Sequence, residues 1–390
     1  MYIWEDKTWP YFSLDAKVIK PRLKNVLALQ KQLTGKAKDL PTGLDKQAEM
    51  DALIQDAIKT SQIEGETLNV SSVRSSVAKH LGLDQAGLAP GNHQSENLIA
   101  MLCSATDNLD QPINQQILCE WQAALFPEPS ITRNLAIGKL RGEAPMQVTS
   151  QVGNREIIHF EAPPKKRLQQ ELDEFIDWFN LVQPMNLAQP MNKNVEMHGI
   201  VRAAVTHLWL ITIHPFEDGN GRVTRAITDR ALAQDDKTSI RFYSLSAVIE
   251  SNRTAYYEIL ENTQNCKTKM QQDGSATNIT EWVNWFLEIV ALAMQYGLQR
   301  IERVVDKTRF WQTHSQTVLS AQQIKVLNRL LDSAGDEFID GISAKKYQGI
   351  ANVSKATATR HLTELVTKAC LIQLPGGGRS TRYAINTEFK

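Results

Sequence analysis

The sequence predicts a mainly α fold divided into two or three domains, on three observations. Apolar residues recur at helical spacing along most of the 390-residue chain. Strand-like runs are few and short. The length exceeds what one compact core accommodates. Charged residues make up 22% of the chain and balance to a formal net charge of zero. The molecule as a whole is therefore not an electrostatic binder of nucleic acid or membrane, which leaves only a local patch for such a role. No apolar run is long enough to span a bilayer. The N-terminus, Met1-Tyr-Ile-Trp-Glu-Asp-Lys, lacks the basic and then apolar pattern of a signal peptide. The four cysteines Cys103, Cys119, Cys266 and Cys370 are scattered and form no CxxC. Reduced thiols in a cytoplasmic protein follow, with neither a disulfide framework nor a zinc site.

The elements can be justified in order. Val18, Leu23, Val26, Leu27, Leu29 and Leu33 fall near one face of a first helix, and Met50, Leu53, Ile54, Ala57 and Ile58 repeat the spacing in a second. From Met146 to Phe160 two short runs flank Val152-Gly153-Asn154-Arg155, a hairpin with Gly-Asn at its turn. Leu168, Leu172, Phe175, Ile176, Trp178 and Phe179 mark another helix. Residues 181–195 contain QPMN twice, and their two prolines favour a surface loop. Glu196 to Leu210 reads as a helix running into apolar Trp209–Ile213 and stopped by Pro215. A further helix spans Arg222 to Ala231, and Trp282, Trp285, Phe286, Ile289, Val290 and Leu292 mark the next. The chain turns polar between Thr308 and Ser320, which sets a domain boundary. The expected division is 1–110, 111–307 and 316–390.

Chemistry concentrates in His214-Pro-Phe-Glu-Asp-Gly-Asn-Gly-Arg-Val-Thr-Arg225. Gly219-Asn220-Gly221 allows a tight bend with backbone N–H groups turned inward, opening onto a helix N-terminus that favours anions. Arg222 and Arg225 share one helix face, and two guanidinium forks there suit successive phosphates. Asp218 is a hard oxygen ligand suited to Mg2+ on those phosphates. His214 accepts a proton near neutral pH. Phe216 anchors the loop in the core.

These residues match H-x-F-x-[D/E]-G-N-G-R-x-x-R at every defined position, and the chain here resembles the Fic family. The preceding Arg202-Ala-Ala-Val-Thr-His207 is similar to the helix that leads into the Fic motif. The resemblance implies an all-α enzyme that transfers AMP from ATP to a protein hydroxyl. His214 would be the general base for a Ser, Thr or Tyr hydroxyl of a target or of the protein itself. Asp218 would hold Mg2+ on the α- and β-phosphates. Asn220 and the loop amides would cradle the α-phosphate, with Glu217, Gly219 and Gly221 in the same nucleotide-binding loop. Arg222 would contact the β-phosphate and Arg225 the γ-phosphate. The hairpin at Met146 to Phe160 would be the family's flap, which holds the target along its edge. Asn252, Tyr256 and Tyr257 lie where relatives border the adenine, and their spacing equally fits core packing.

Thr60-Ser-Gln-Ile-Glu64-Gly65 fits a second family pattern, [S/T]-x-x-x-E-[G/N], placed before the Fic motif as in the class with an N-terminal inhibitory helix. The same residues also read as a plain helix end followed by Gly. The resemblance implies that Glu64 forms a bidentate pair with Arg225 and takes the guanidinium that the γ-phosphate needs. Trp4, Trp9-Pro10 and Val73–Leu83 also resemble the N-terminal region of bacterial Fic proteins.

The C-terminal stretch reads as a helix over Ser320–Leu331 (Ile324, Val326, Leu327, Leu330 and Leu331 apolar), a second over Ser343–Ala351, a third over Lys355–Lys368 with Ser354 as N-cap, then strand, turn, strand. This order resembles a winged helix-turn-helix. Lys355, Thr357, Thr359, Arg360 and Thr363 are expected on the exposed face of the third helix, with Arg379 and Arg382 on the wing, as candidate DNA contacts. Residues 316–390 hold ten Lys/Arg against six Asp/Glu, a modest basic excess. Protein contact or homodimerisation is the alternative use of that surface. For the whole chain the alternatives to AMP transfer are a DNA-binding regulator whose Fic part senses nucleotide, and a Fic enzyme that removes AMP or uses another donor.

Overall fold

Helical spacing in the sequence becomes helix along most of the chain. The computed structural model describes residues 1–40, 43–83, 90–126, 135–153, 155–181, 197–238, 242–265, 276–332, 338, 340–376 and 381–388. The QPMN repeat and Cys266 lie outside these residues. Two compact units form: Met1–Lys38 with Glu49–Gly297, and Asp39–Ala48 with Leu298–Lys390. The fold is mainly helical with three small two-stranded sheets among the described residues. No described helix is long and apolar enough to cross a membrane.

In the first unit, β1 (Phe12–Ser13) precedes α1 (Ala16–Lys38), α2 (Leu44–Ile63), α3 (Val70–His80), α4 (His93–Thr106) and α5 (Gln115–Ala124). The hairpin β2 (Gln147–Val152) and β3 (Arg155–Glu161) pairs antiparallel with a bulge between Val148 and Thr149, and Gly153 takes φ 61° at its turn. Then come α6 (Lys165–Leu181), α7 (Gly199–Ile213), α8 (Asn220–Asp236), α9 (Leu245–Ser251), α10 (Arg253–Gln264), β4 (Thr277–Asn278), which pairs parallel with β1, and α11 (Thr280–Thr313), whose residues from Leu298 on belong to the second unit, as do Leu44–Ala48 of α2.

All fifteen residues of α7 are buried, and α8 is buried along nearly its whole length. Helices apolar or satisfied on every side form a core rather than a surface layer. Several of their polar groups bond across this core. The Arg230 guanidinium donates to the carbonyls of Ala105, Asp107, Asn108 and Gln111 and so fastens the α4–α5 connection onto α8. Arg202 donates to Gln234 and to the Phe179 carbonyl while lying over the Phe179 ring. Trp282 Nε1 donates to the Ala204 carbonyl at 2.8 Å.

Some boundaries and faces differ from expectation. α7 starts at Gly199, where the His198 side chain caps it, and runs on to Ile213. α8 begins two residues before Arg222, because Gly219 at φ 87° already turns the chain into the helix. Val18, Leu292 and Ile324, expected inside, are 42%, 37% and 39% exposed. They sit on the flanks of apolar stripes that their neighbours fill.

In the second unit, α12 (Ala321–Asp332), α13 (Ala344–Ala351) and α14 (Lys355–Thr367) are followed by β5 (Leu371–Gln373) and β6 (Tyr383–Ile385), paired antiparallel. Phe310, Val326, Leu327, Tyr347, Leu362, Leu365 and Leu371 share its core. Between α13 and α14 Asn352 is left-handed at φ 54°, and Ser354 Oγ accepts from the Thr357 amide at 3.2 Å as the N-cap of α14.

Candidate active site

The loop from α7 to α8 is held by side chains from two other segments. His214 ends α7 in the left-handed region at φ 50°, costly for a residue with a Cβ. Arg141, buried, fixes it there. Its Nε donates to the His214 carbonyl at 2.8 Å, its guanidinium also reaches the Pro163 and Ile213 carbonyls, and its own amide donates to Pro215 at 3.0 Å. Gln122 of α5 spans the loop, accepting from the Gly138 amide at 2.6 Å and donating to the Asp218 carbonyl at 3.2 Å. Glu217 accepts from the Ala136 amide at 2.9 Å, so its carboxylate ties two loops together. Asn220 closes the turn on itself, accepting from the Phe216 amide at 2.9 Å and donating to the Phe216 carbonyl at 2.8 Å. Its side-chain amide is thus spent inside the loop, and the backbone is left to meet a ligand. No side chain caps α8, so its first amides, from Asn220 onward, keep free donors at a positive helix end.

His214 Nδ1 lies 3.0 Å from the Ile211 carbonyl. Only an N–H donates to a carbonyl, so the proton sits on Nδ1 and Nε2 is the free acceptor. Burial pushes the imidazole below its ordinary pKa, and Arg141 adds to this against the opposing pull of Glu64 and Asp218. Asp218 Oδ1 accepts from the Gly219 amide at 2.6 Å and lies 3.9 Å from Arg222 Nη2. Among the described residues no three His, Cys, Asp or Glu side chains cluster as a metal site. A single carboxylate beside a phosphate-sized cavity is nonetheless the donor set that Mg2+ uses when nucleotide oxygens complete its shell.

Arg222 and Arg225 of α8 are both buried, and both meet carboxylates just past the end of α2. Arg225 Nε donates to Thr60 Oγ1 at 2.7 Å, and its Nη2 donates to the Thr60 carbonyl at 2.9 Å and to Glu64 Oε1 at 2.8 Å. The expected bidentate Glu64 pair is therefore single-pointed, with Thr60 taking Nε and sharing Nη2. Arg225 Nη1 is buried without a hydrogen-bond partner among the described residues. Burial disfavours the Glu64 carboxylate, but Arg225 more than offsets it and holds its pKa below the usual value. A Cβ on Gly221 would stand 2.1 Å from Glu64 Oε1, so the missing side chain is what lets an anion reach this helix end. Arg222 Nη1 donates to Glu66 at 2.7 Å.

A cavity of about 780 Å³ is walled by Glu64, His214, Asp218, Gly219, Asn220 and Gly221, by Met146 and Gln147–Ser150 of the hairpin strand β2, and by Tyr256, Tyr257 and Glu261 of α10, while Arg222 and Arg225 are not among its lining residues. Tyr256 is buried and its hydroxyl meets His207 Nε2 at 2.9 Å. Tyr257 is partly exposed, with its hydroxyl 3.4 Å from the Ile63 carbonyl. Asn252 joins α9 to α10, donating to the Val248 carbonyl, and is not among the residues lining the cavity. Among the candidate DNA contacts, Lys355 and Arg360 are exposed on α14, Thr357 is half-buried against Ser354, and Arg382 is half-buried. Arg379 lies outside the described residues.

Residues 112–232 match the profile of the Fic/DOC family. That stretch of the chain is similar to a Fic domain. Members of this family commonly transfer a nucleoside monophosphate to proteins. Residues 2–83 match a domain of unknown function, DUF4172. Among solved structures, a Fic family protein from Desulfovibrio desulfuricans G20 is 16% identical with a TM-score of 0.52, the match covering 96% of this chain and 98% of that one. At that identity the likeness is one of fold. A Fic-domain signalling protein from Bacteroides thetaiotaomicron VPI-5482 is 17% identical, covering 70% of this chain and 97% of that one, with a TM-score of 0.49. Fic-1 from C. elegans, residues 134–508, is 17% identical over 74% of each chain, with a TM-score of 0.47.

Arg141, Gln122 and Glu66 were not legible as site residues. Arg141 and Gln122 act from segments far from the Fic motif in sequence, and no local pattern marks a residue that bonds a distant carbonyl. Glu66 had one available signal, an acid two places beyond Glu64 in TSQIEGE.

Proposed function

We propose that this protein is an autoinhibited protein adenylyltransferase, moving AMP from ATP to a Ser, Thr or Tyr hydroxyl of a target protein or of itself. One observation carries the reading. A free imidazole acceptor, a carboxylate and an uncapped helix start line one cavity, with two buried guanidinium groups behind it. A triphosphate would lie along α8 with its α-phosphate at the amides of Asn220 to Arg222 and its outer phosphates on Arg222 and Arg225. His214 Nε2 takes the proton of the incoming hydroxyl, the oxygen bonds to the α-phosphorus, and the bond to the pyrophosphate oxygen breaks. Catalysis is then mainly positioning and charge stabilisation. Asp218 would hold Mg2+, which supplies charge neutralisation at the phosphates. The hairpin would receive an extended target segment along the free edge of β2.

Autoinhibition follows from Glu64. Its carboxylate already occupies the guanidinium and the helix-end space that the outer phosphates need. The test is labelling with ATP carrying the label at the α or the γ position. Glu64→Gly protein should label protein from α only, and the added change His214→Ala should abolish it. Equal labelling with and without His214 would sink the assignment of the base.

For the C-terminal unit we propose a winged helix-turn-helix that meets DNA through α14. The helix order, the Ser354-capped start of α14 and the exposed Lys355 and Arg360 support this. Mobility shifts on genomic fragments should weaken by about tenfold when both are changed to Ala. Unchanged shifts would favour a protein-contact role.

A further inference from the structure

Two carboxylates, not one, stand on Arg222 and Arg225 of α8. They are presented by a single rigid turn. α2 ends at Ile63, Gly65 takes φ 80°, and the Gly65 and Glu66 amides donate back to the Gln62 and Ser61 carbonyls at 3.0 Å each. This is the 5→2 and 6→1 hydrogen-bond pair of a Schellman end, and it fixes Glu64 and Glu66 on either side of the glycine. Glu64 reaches Arg225 at 2.8 Å and Glu66 reaches Arg222 at 2.7 Å. The Arg222 side chain is 4% exposed and that of Glu66 is 37% exposed. A buried guanidinium thus depends on a carboxylate that itself faces water, a contact that a phosphate can replace.

We propose that Glu66 is a specificity-determining residue of the nucleotide site: it competes for Arg222 and sets how readily a second phosphate is accepted, while Glu64 competes for Arg225 and sets the third. The inference rests on the nucleotide reading above. Its consequence is a dependence on phosphate-chain length. A monophosphate reaches neither arginine, a diphosphate reaches Arg222, and a triphosphate reaches both. Removing Glu64 alone leaves Arg222 still engaged by Glu66.

The test is calorimetric titration of AMP, ADP and α,β-methylene-ATP, which cannot be cleaved at the reacting bond, with magnesium. The full chain is compared with Glu66→Gln, Glu64→Gly and the double variant, and Glu66→Ala serves as a second form of the same change. Glu66→Gln and Glu66→Ala should tighten ADP by about tenfold, the scale of one charged hydrogen bond, and leave AMP within about twofold. Glu64→Gly should tighten only the triphosphate analogue, and the double variant should combine both gains on that analogue. Unchanged ADP affinity in both Glu66 variants, with the triphosphate analogue tightened by Glu64→Gly, would overturn the role of Glu66 and leave the nucleotide site standing. ADP tightened by Glu64→Gly would assign both subsites to Glu64 and overturn it equally. No binding of any nucleotide to any variant would remove the site reading and this inference together.

Discussion

At the scale of single residues the site depends on where protons and charges sit. His214 is held neutral by burial, with the free lone pair on Nε2. A base pushed below its ordinary value keeps working as the medium becomes more acidic. The acid limb of AMP transfer by the Glu64→Gly protein should therefore lie below about pH 6.5, as a rate profile against pH will show. Acid should not open the inhibited form over that range. The Glu64 carboxylate, drawn below its ordinary value by Arg225, keeps its charge through the usual carboxylate range. Wild-type activity should accordingly show no rise on acidification. Arg141 sets the base's geometry from outside the motif. Arg141→Gln would leave buried carbonyls at His214 and Pro163 without their donor and should cost about 3 kcal/mol of stability. In the Glu64→Gly background it should lower kcat more than it raises KM for ATP. Loss in KM alone would contradict that role. His207 adds a stability signature. Burial pushes its pKa down to about 3, whereas an unfolded imidazole binds a proton near pH 6.5. Its contribution is complete above that value and is lost as pH falls toward the folded pKa. At pH 5 it should cost about 2 kcal/mol. His207→Gln should flatten the pH dependence of the urea midpoint in this window.

At the scale of elements, two helix ends meet. The end of α2 brings carboxylates, and the start of α8 brings unpaired amides and arginines. Gly65 is the conformational key, since φ 80° strains any other residue. Gly65→Ala should loosen the turn and raise AMP transfer severalfold, though less than Glu64→Gly, because the carboxylate remains attached to a softer support. Labelling assays on the two variants will rank them, and a lower rate than wild type would count against the turn as the restraint. This is also where the sequence was and was not legible. The α7–α8 loop could be read because its chemistry is contiguous: Pro215, Gly219, Asn220, Arg222 and Arg225 act within about three turns of chain. Ser354 was legible as a cap for the same reason. The single-pointed Glu64 contact was not, because its geometry depends on Thr60 engaging Nε and Nη2 of the same guanidinium. The inward faces of α1, α11 and α12 were legible as stripes but not at their flanks. Spacing tells which residues share a side, not how wide the covering neighbour is.

At the scale of the first unit, the hairpin is fastened at several points rather than hung from its ends. His159 of β3 bridges Ser150 at 2.6 Å and Glu261 of α10 at 3.0 Å. Trp4 Nε1 donates to the Glu161 carbonyl, and the Tyr2 ring packs edge-on against Phe160. The segment that matches the domain of unknown function thus braces the strand pair that walls the cavity. Deleting residues 1–5 should leave nucleotide affinity within about twofold and slow transfer to protein by about tenfold, since the strand pair loses its brace. Unaltered transfer would show that the brace is dispensable.

Glu64 and the guanidinium it occupies belong to one chain and one compact unit, and this has a kinetic consequence. The acid does not diffuse away. Under the autoinhibition proposed above it would act as a tethered competitor whose local concentration is set by the turn, at the millimolar level or above for so short a span. Diluting the protein therefore cannot relieve it. Each molecule's resting output should be the same in a crowded cell or a dilute assay, and only a ligand that outcompetes the tether, or a partner that moves α2, can change it.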